Sequence, residues 1–203
     1  MIGQTALHIA CMWGNYKSVG VILDAGANTD ATNQFGTTPL TGDYKSRTVF
    51  AMPASHLLIM RHGDAEPSAV NDEARRLSAR GRSEVQRIGR ALVTHLIIDK
   101  IVASPLVRAQ ETASLVAACY GHEIQRDTCV SLSPNGIPDQ LVAEFGEGGG
   151  SVLLVTHMPL IADLVSALSG KRQAVQTAEL FCFDMQMKAP LRPPMFNLQP
   201  SRL

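Results

Sequence analysis

An excess of charge of either sign is missing from this chain. Across 203 residues Lys plus Arg and Asp plus Glu both number 18. The field of the whole protein therefore gives no reason to expect nucleic acid or an anionic membrane as a partner, and any anion site must be a local cluster. Cysteine is scarce and unpatterned: Cys11, Cys119, Cys129 and Cys182 form no C-x-x-C pair and show no metal-ligand spacing. They are expected to be buried small hydrophobes in a reducing compartment, with no structural metal. No apolar run approaches the length of a membrane span. The opening M-I-G-Q-T-A-L-H lacks a basic segment followed by an apolar core, so no secretory signal is read there and a cytoplasmic location is expected. What is present, 45% hydrophobic and 18% charged residues, excludes a disordered chain and suits a soluble globular one. The length holds one ordinary domain plus an appendage.

The appendage comes first. Gly3-Gln4-Thr5-Ala6-Leu7 recurs as Gly36-Thr37-Thr38-Pro39-Leu40, a spacing of 33 residues, with His8-Ile9-Ala10, Gly14-Asn15, Val19, Val21-Ile22-Leu23 and Gly26-Ala27 between them. Period and motif together resemble an ankyrin repeat. The Thr-x-Leu-His run is expected to start one helix, Val19, Ile22 and Leu23 to pack a second, and Gly26 to end it. After Leu40 the motif stops at Thr41-Gly42-Asp43. One repeat and a stub cannot bury their own apolar faces, since about three are usually needed. That argument favours a relic of a longer array or a truncated product over a partner-binding module, which stays open as the alternative. Residues 41–55, polar and carrying Pro53, read as a linker. The predicted organisation is therefore a small all-α ankyrin-type segment over 1–40, a linker over 41–55 and a second domain over 56–203.

The second domain is organised around H-L-L-I-M-R-H-G-D-A, residues 56–65. Leu57 to Met60 are apolar without a helical period, as in a strand buried on both faces of a parallel sheet. The run ends at Arg61-His62-Gly63, at the kind of strand edge where open α/β sheets bind ligands. Arg61 offers a planar fork of donors suited to phosphate or carboxylate, and a neutral His62 offers a nucleophilic nitrogen. A polar loop over 64–77 follows, then Ser78 as N-cap and Val85, Ile88, Leu92 and Leu96 at helical spacing. Further elements are predicted in alternation: a strand over 100–103, a helix over 106–119 capped by Ser104, a weak strand over 123–126 and a short helix over 138–145. After the Gly148-Gly149-Gly150 break come a strand over 151–155 and a helix over 159–168, then closing strands near 179–183 and 195–198, for which an antiparallel pairing is open. The alternation predicts an α/β fold, three layers with a mainly parallel central sheet.

Three strand ends then deliver Arg61-His62, S-P-L-V-R over 104–108 and His157 to one edge. L-I-M-R-H-G, S-P-L-V-R-A-Q-E-T and V-T-H, in that order and spacing, resemble the histidine phosphatase superfamily, most of all its bacterial phosphohistidine phosphatases. The resemblance covers about residues 56–199 and implies a phosphoglycerate mutase-like fold. It also implies His62 as the nucleophile that becomes phosphohistidine, and Arg61, Arg108 and His157 as the phosphate pocket, with no cofactor and no metal. The charges suit those roles: a phosphoryl group brings about two negative charges and spreads them over three oxygens in transfer. Two guanidiniums and an imidazole fixed at an edge supply preorganised stabilisation. Thr156 is a further candidate phosphate contact.

Members that hydrolyse phosphate esters also carry an acidic proton donor, in one branch directly after the second histidine. Here that position is Met158, and in the other position used, Ser131 lies in V-S-L-S-P without a carboxylate. Asp64 and Glu66 lie near the nucleophile in sequence without a claim to the role. Losing a general acid costs on the order of 10²–10⁴-fold with an alkoxide leaving group, whereas imidazole leaves readily once protonated. The expected substrate is therefore phosphohistidine on a protein, a histidine-phosphotransfer domain or phosphocarrier; short loops that leave the pocket open agree with it. The alternatives are a small-molecule phosphomonoesterase or mutase of the same superfamily, and an ankyrin-type interaction module carrying a phosphatase domain. Arg75, Arg76, Arg80 and Arg82 form a candidate positive rim for an acidic partner, although Asp72, Glu73 and Glu84 offset it.

Overall fold

The computed structural model describes residues 4–12, 22–23, 25–39, 55–67, 71–146, 150–187 and 191–203. The chain divides into two compact units, Met1–Ala51 and Met52–Leu203. The linker reading falls almost entirely outside the described residues, as do Gly14-Asn15, Val19 and Gly148-Gly149.

In the first unit the Thr-x-x-His signature builds helix α1, Ala6–Met12. The buried His8 ties the turn together: its Nδ1 meets the Thr5 hydroxyl at 2.8 Å and amide at 3.2 Å, and its Nε2 donates to the Thr37 carbonyl at 2.9 Å. The helical pair Ile22-Leu23 ends at Gly26, whose φ of 78° is left-handed and whose amide returns to the Leu23 carbonyl. Gly26 therefore closes the helix as its position in the repeat requires.

The second unit is a six-stranded sheet of order β3-β2-β4-β1-β5-β6. Its strands are β1 His56–Arg61, β2 Lys100–Ala103, β3 Gln125–Thr128, β4 Ser151–Thr156, β5 Leu180–Asp184 and β6 Phe196–Leu198. The first four pair in parallel, while β5 and β6 are antiparallel. Helices α2, Ala79–Val93, and α3, Val107–Ala117, cover one face. Helices α4, Pro138–Gly146, and α5, Leu160–Ser169, cover the other. Alternation along β1 divides its side chains between the two cores: Leu58 and Met60 join Val85, Ile88 and Val116, while Leu57 and Ile59 join Leu160, Leu164 and Phe181. All four are fully buried, which is why the strand reads as a continuous apolar run. The fold is three-layered α/β/α.

Two local readings shift. The edge strand β3 lies two residues later than its sequence suggests, because all four of its residues are exposed and no burial pattern marks it. Leu106, not Ser104, is the N-cap of α3, and it has no side-chain cap. The Val107 amide is met instead by the Glu73 carbonyl at 3.2 Å, from a turn far back in the chain.

Candidate active site

The register of β1 against β4 places the two histidines together. Arg61 pairs with Thr156, and the His62 amide extends the ladder to the Thr156 carbonyl at 3.0 Å. His62 and His157, each the first residue past its strand, thus face one another with ring centroids 4.9 Å apart. Beside β4, the Ser104 amide bonds the Val155 carbonyl at 3.0 Å, so β2 ends level with them and its turn delivers Arg108 in the first turn of α3. Arg108 Nε lies 3.3 Å from His62 Nε2. Arg61 leaves the same strand end and donates from Nη1 to the Val175 carbonyl at 2.7 Å, with its Nε buried and unpartnered among the described residues. The four residues read from the sequence share one edge.

The chemistry of His62 is fixed by its neighbours. Nδ1 lies 2.7 Å from the Gly63 carbonyl, which can only accept, so Nδ1 carries the proton and Nε2 keeps its lone pair towards Arg108. Burial, reinforced by Arg108, Arg61 and Arg75, lowers the His62 pKa to about 4 against the opposing pull of the Gly63 bond. His157 is lowered to about 3, by burial first and then by His62, Arg108 and Arg61. Both ring nitrogens of His157 are buried without a hydrogen-bond partner among the described residues. A neutral imidazole must carry one N–H, so this donor is left for a ligand. Burial also lowers Arg61, with Asp64 and Glu179 acting in the opposite direction.

Several groups around this edge were not legible in the sequence. Thr112 donates its hydroxyl to the Arg108 carbonyl at 2.7 Å and accepts the Gly63 amide at 3.1 Å. Its place one turn after Arg108 on the same helix was the available signal. Asp72 binds Arg108 twice, accepting Nη1 on its carbonyl at 2.6 Å and Nη2 on Oδ2 at 2.9 Å. Glu179, fully buried, accepts from Asn197, Gln199 and the Gln176 amide, and so braces the segment that leads into β5. Thr156 is unsuited to a phosphate contact as donor: its buried hydroxyl is given to the Leu132 carbonyl at 2.7 Å. The arginine rim is paired, with Arg76 and Arg82 on Glu111, Arg80 on Glu84 and Arg75 on Asp72. Among the described residues no group of three His, Cys, Asp or Glu side chains is placed to hold a metal ion. No helix among them is long and apolar enough to cross a membrane.

The histidine phosphatase superfamily (branch 1) model matches residues 57–130, and an ankyrin repeat model matches residues 2–34. Over 132 residues the chain is 36% identical to the phosphohistidine phosphatase SixA homolog of Haemophilus influenzae, covering 59% of this chain and 80% of that protein. The chain belongs to the histidine phosphatase superfamily. It is also 32% identical over 117 residues to phosphohistidine phosphatase SixA of Escherichia coli, covering 55% of this chain and 73% of that one. Among solved structures, the protein histidine phosphatase SixA complexed with tungstate superimposes with a TM-score of 0.66 at 26% identity, over 72% of this chain and 98% of that one. Met158, which follows His157, is partly exposed.

Proposed function

We propose that this chain is a metal-independent phosphohistidine phosphatase acting on phosphorylated protein in the cytoplasm, with His62 as nucleophile and Arg61, Arg108 and His157 as the phosphate pocket. The observation that carries the reading is the His62 imidazole: neutral, held by Gly63 with its Nε2 lone pair unprotonated and facing the Arg108 guanidinium, and flanked by a second buried imidazole. The relatives named for phosphohistidine support the substrate class, and the solved SixA structure complexed with tungstate supports an oxyanion as ligand.

In the first step Nε2 forms a bond to phosphorus as the bond from phosphorus to the substrate nitrogen breaks. The leaving imidazole departs neutral when its other nitrogen carries a proton from solvent. Arg108, Arg61 and the free N–H of His157 meet the equatorial oxygens, whose charge grows in the transition state. Water then attacks the phosphohistidine, giving orthophosphate and returning the lone pair to His62. Neither carboxylate nearest the nucleophile in sequence is placed as acid to the leaving group: Asp64 Oδ2 is taken by the Ser78 hydroxyl at 2.6 Å and Glu66 is exposed, while Met158 stands after His157. A phosphoramidate tolerates that absence far better than an ester.

Catalysis is assigned to residues 56–203, the ankyrin fragment to 1–40 and the linker to 41–55, with any protein-binding role of the fragment separable from turnover. The test is phosphate release from a phosphorylated histidine-phosphotransfer domain, wild type against His62→Ala, with chelator present. Release by wild type alone is expected. Activity in His62→Ala above a tenth of wild type removes His62 as nucleophile, and a kinetic preference for sugar phosphates or phosphoglycerate moves the substrate to small esters.

A further inference from the structure

Every nitrogen of the Arg108 guanidinium already has a partner: Nε faces His62 Nε2, and Nη1 and Nη2 go to the carbonyl and Oδ2 of Asp72. The partners differ sharply in burial, with the Arg108 side chain 6% exposed and that of Asp72 63% exposed. The turn that carries Asp72 is closed by Asn71 Oδ1, which accepts the Ala74 amide, and is fixed to the helix that carries Arg108 by the Glu73 carbonyl, which accepts the Val107 amide. Asp72 Oδ1 also takes Arg75 at 3.1 Å. These bonds, that to Arg75 first and that to Arg108 second, hold its carboxyl below the usual range, so it is anionic at neutral pH. Its charge reaches His157, where it opposes the effect of the arginines.

We propose that Asp72 is the counter-ion built into the phosphate pocket, holding Arg108 in place while its charge limits how tightly the pocket keeps inorganic phosphate. The inference rests on the phosphate-pocket reading above. Arg61 has Asp64 and Glu179 as opposing charges, whereas an uncompensated Arg108 beside the buried imidazole would hold the product of each turnover more tightly. A carboxylate on the outer nitrogens of Arg108 stands a few ångströms from a phosphate bound by the same guanidinium. At that separation in a partly solvated site, repulsion changes affinity by about five- to tenfold.

The test is calorimetric titration of inorganic phosphate into the full chain, as wild type, Asp72→Asn, Asp72→Glu and Arg108→Ala. The amide oxygen of Asn still accepts from Nη2, so Asp72→Asn removes the charge and keeps the bond to Arg108 while giving up that to Arg75. It is expected to bind phosphate about five- to tenfold more tightly than wild type, and Asp72→Glu to stay within about twofold. Unchanged or weaker binding by Asp72→Asn, or equal tightening by Asp72→Glu, overturns the inference and leaves Asp72 as a positioning group only. Phosphate binding by wild type that is lost in Arg108→Ala keeps the pocket reading in either case. No phosphate binding by wild type overturns that reading and this inference with it.

Discussion

His62 Nδ1 sits 2.7 Å from the carbonyl oxygen of Gly63, the next residue in the chain. That contact sets the tautomer, and burial with the surrounding arginines keeps the ring neutral to about pH 4, with His157 neutral to about pH 3. The sign of the linkage follows. An unfolded histidine takes up its proton near 6.5, the folded His62 only near 4, so the unfolded state binds more protons between those values. Stability is therefore fully present above pH 6.5, declines as pH falls towards 4, and changes no further below that through His62. The shift corresponds to on the order of 3 kcal/mol for this group. Imidazole NMR titration should find both rings neutral at pH 5.5, and urea unfolding should show a shallower acid decline in His62→Asn. A His62 ring titrating near 6.5 would contradict the account.

Thr112 joins the backbone beside His62 to the helix turn of Arg108 through one fully buried hydroxyl. Thr112→Val keeps the shape but strands the Gly63 amide, and a buried unsatisfied donor costs about 1–3 kcal/mol. Urea denaturation should register that loss, and kcat/KM on phosphohistidine protein should fall about tenfold. Thr112→Ser should restore the catalytic rate while leaving some stability lost with the methyl group. A Val variant as active as wild type would assign Thr112 to packing alone.

What the sequence could and could not disclose divides by range. Leu57 to Met60, Lys100 to Ala103 and Ser151 to Val155 were legible because strands buried on both faces leave apolar runs. Arg61, His62, Arg108 and His157 were legible as residue types at strand ends. Their meeting required the Arg61–Thr156 register, which no local pattern encodes. The Glu73 carbonyl on Val107 and the Asp72 carboxylate on Arg108 join segments more than thirty residues apart. In the sequence Asp72 registered only as an offset to nearby arginines.

Glycine at position 81 is demanded by the loop that follows the nucleophile. A Cβ there would lie 2.0 Å from the Asp64 carbonyl oxygen and 2.7 Å from its amide nitrogen, and backbone atoms cannot yield as a flexible side chain can. Gly81→Ala should cost at least the 1–3 kcal/mol typical of overpacking, with loss of activity as residues 63–64 are displaced. Gly121→Ala is the control: nothing lies within 4 Å of the added methyl, so melting temperature and turnover should stay near wild type. Equal effects at the two positions would show that helix α2 is not pinned against Asp64.

Met158 follows His157 and is 37% exposed, at the place where an ester-hydrolysing branch of the superfamily carries its acid. If the choice of substrate rests on the leaving group, supplying a carboxyl here should matter for esters and not for phosphohistidine. A positioned general acid contributes 10²–10⁴-fold, and an introduced one without supporting contacts should reach only the lower part of that range. Met158→Glu is therefore expected to raise turnover of an alkyl phosphate by about 10- to 100-fold, with phosphohistidine protein changed by less than about threefold. Steady-state kinetics on both substrates decides it. A loss on phosphohistidine with no gain on the ester would place residue 158 away from the leaving group and return the substrate preference to the shape of the pocket.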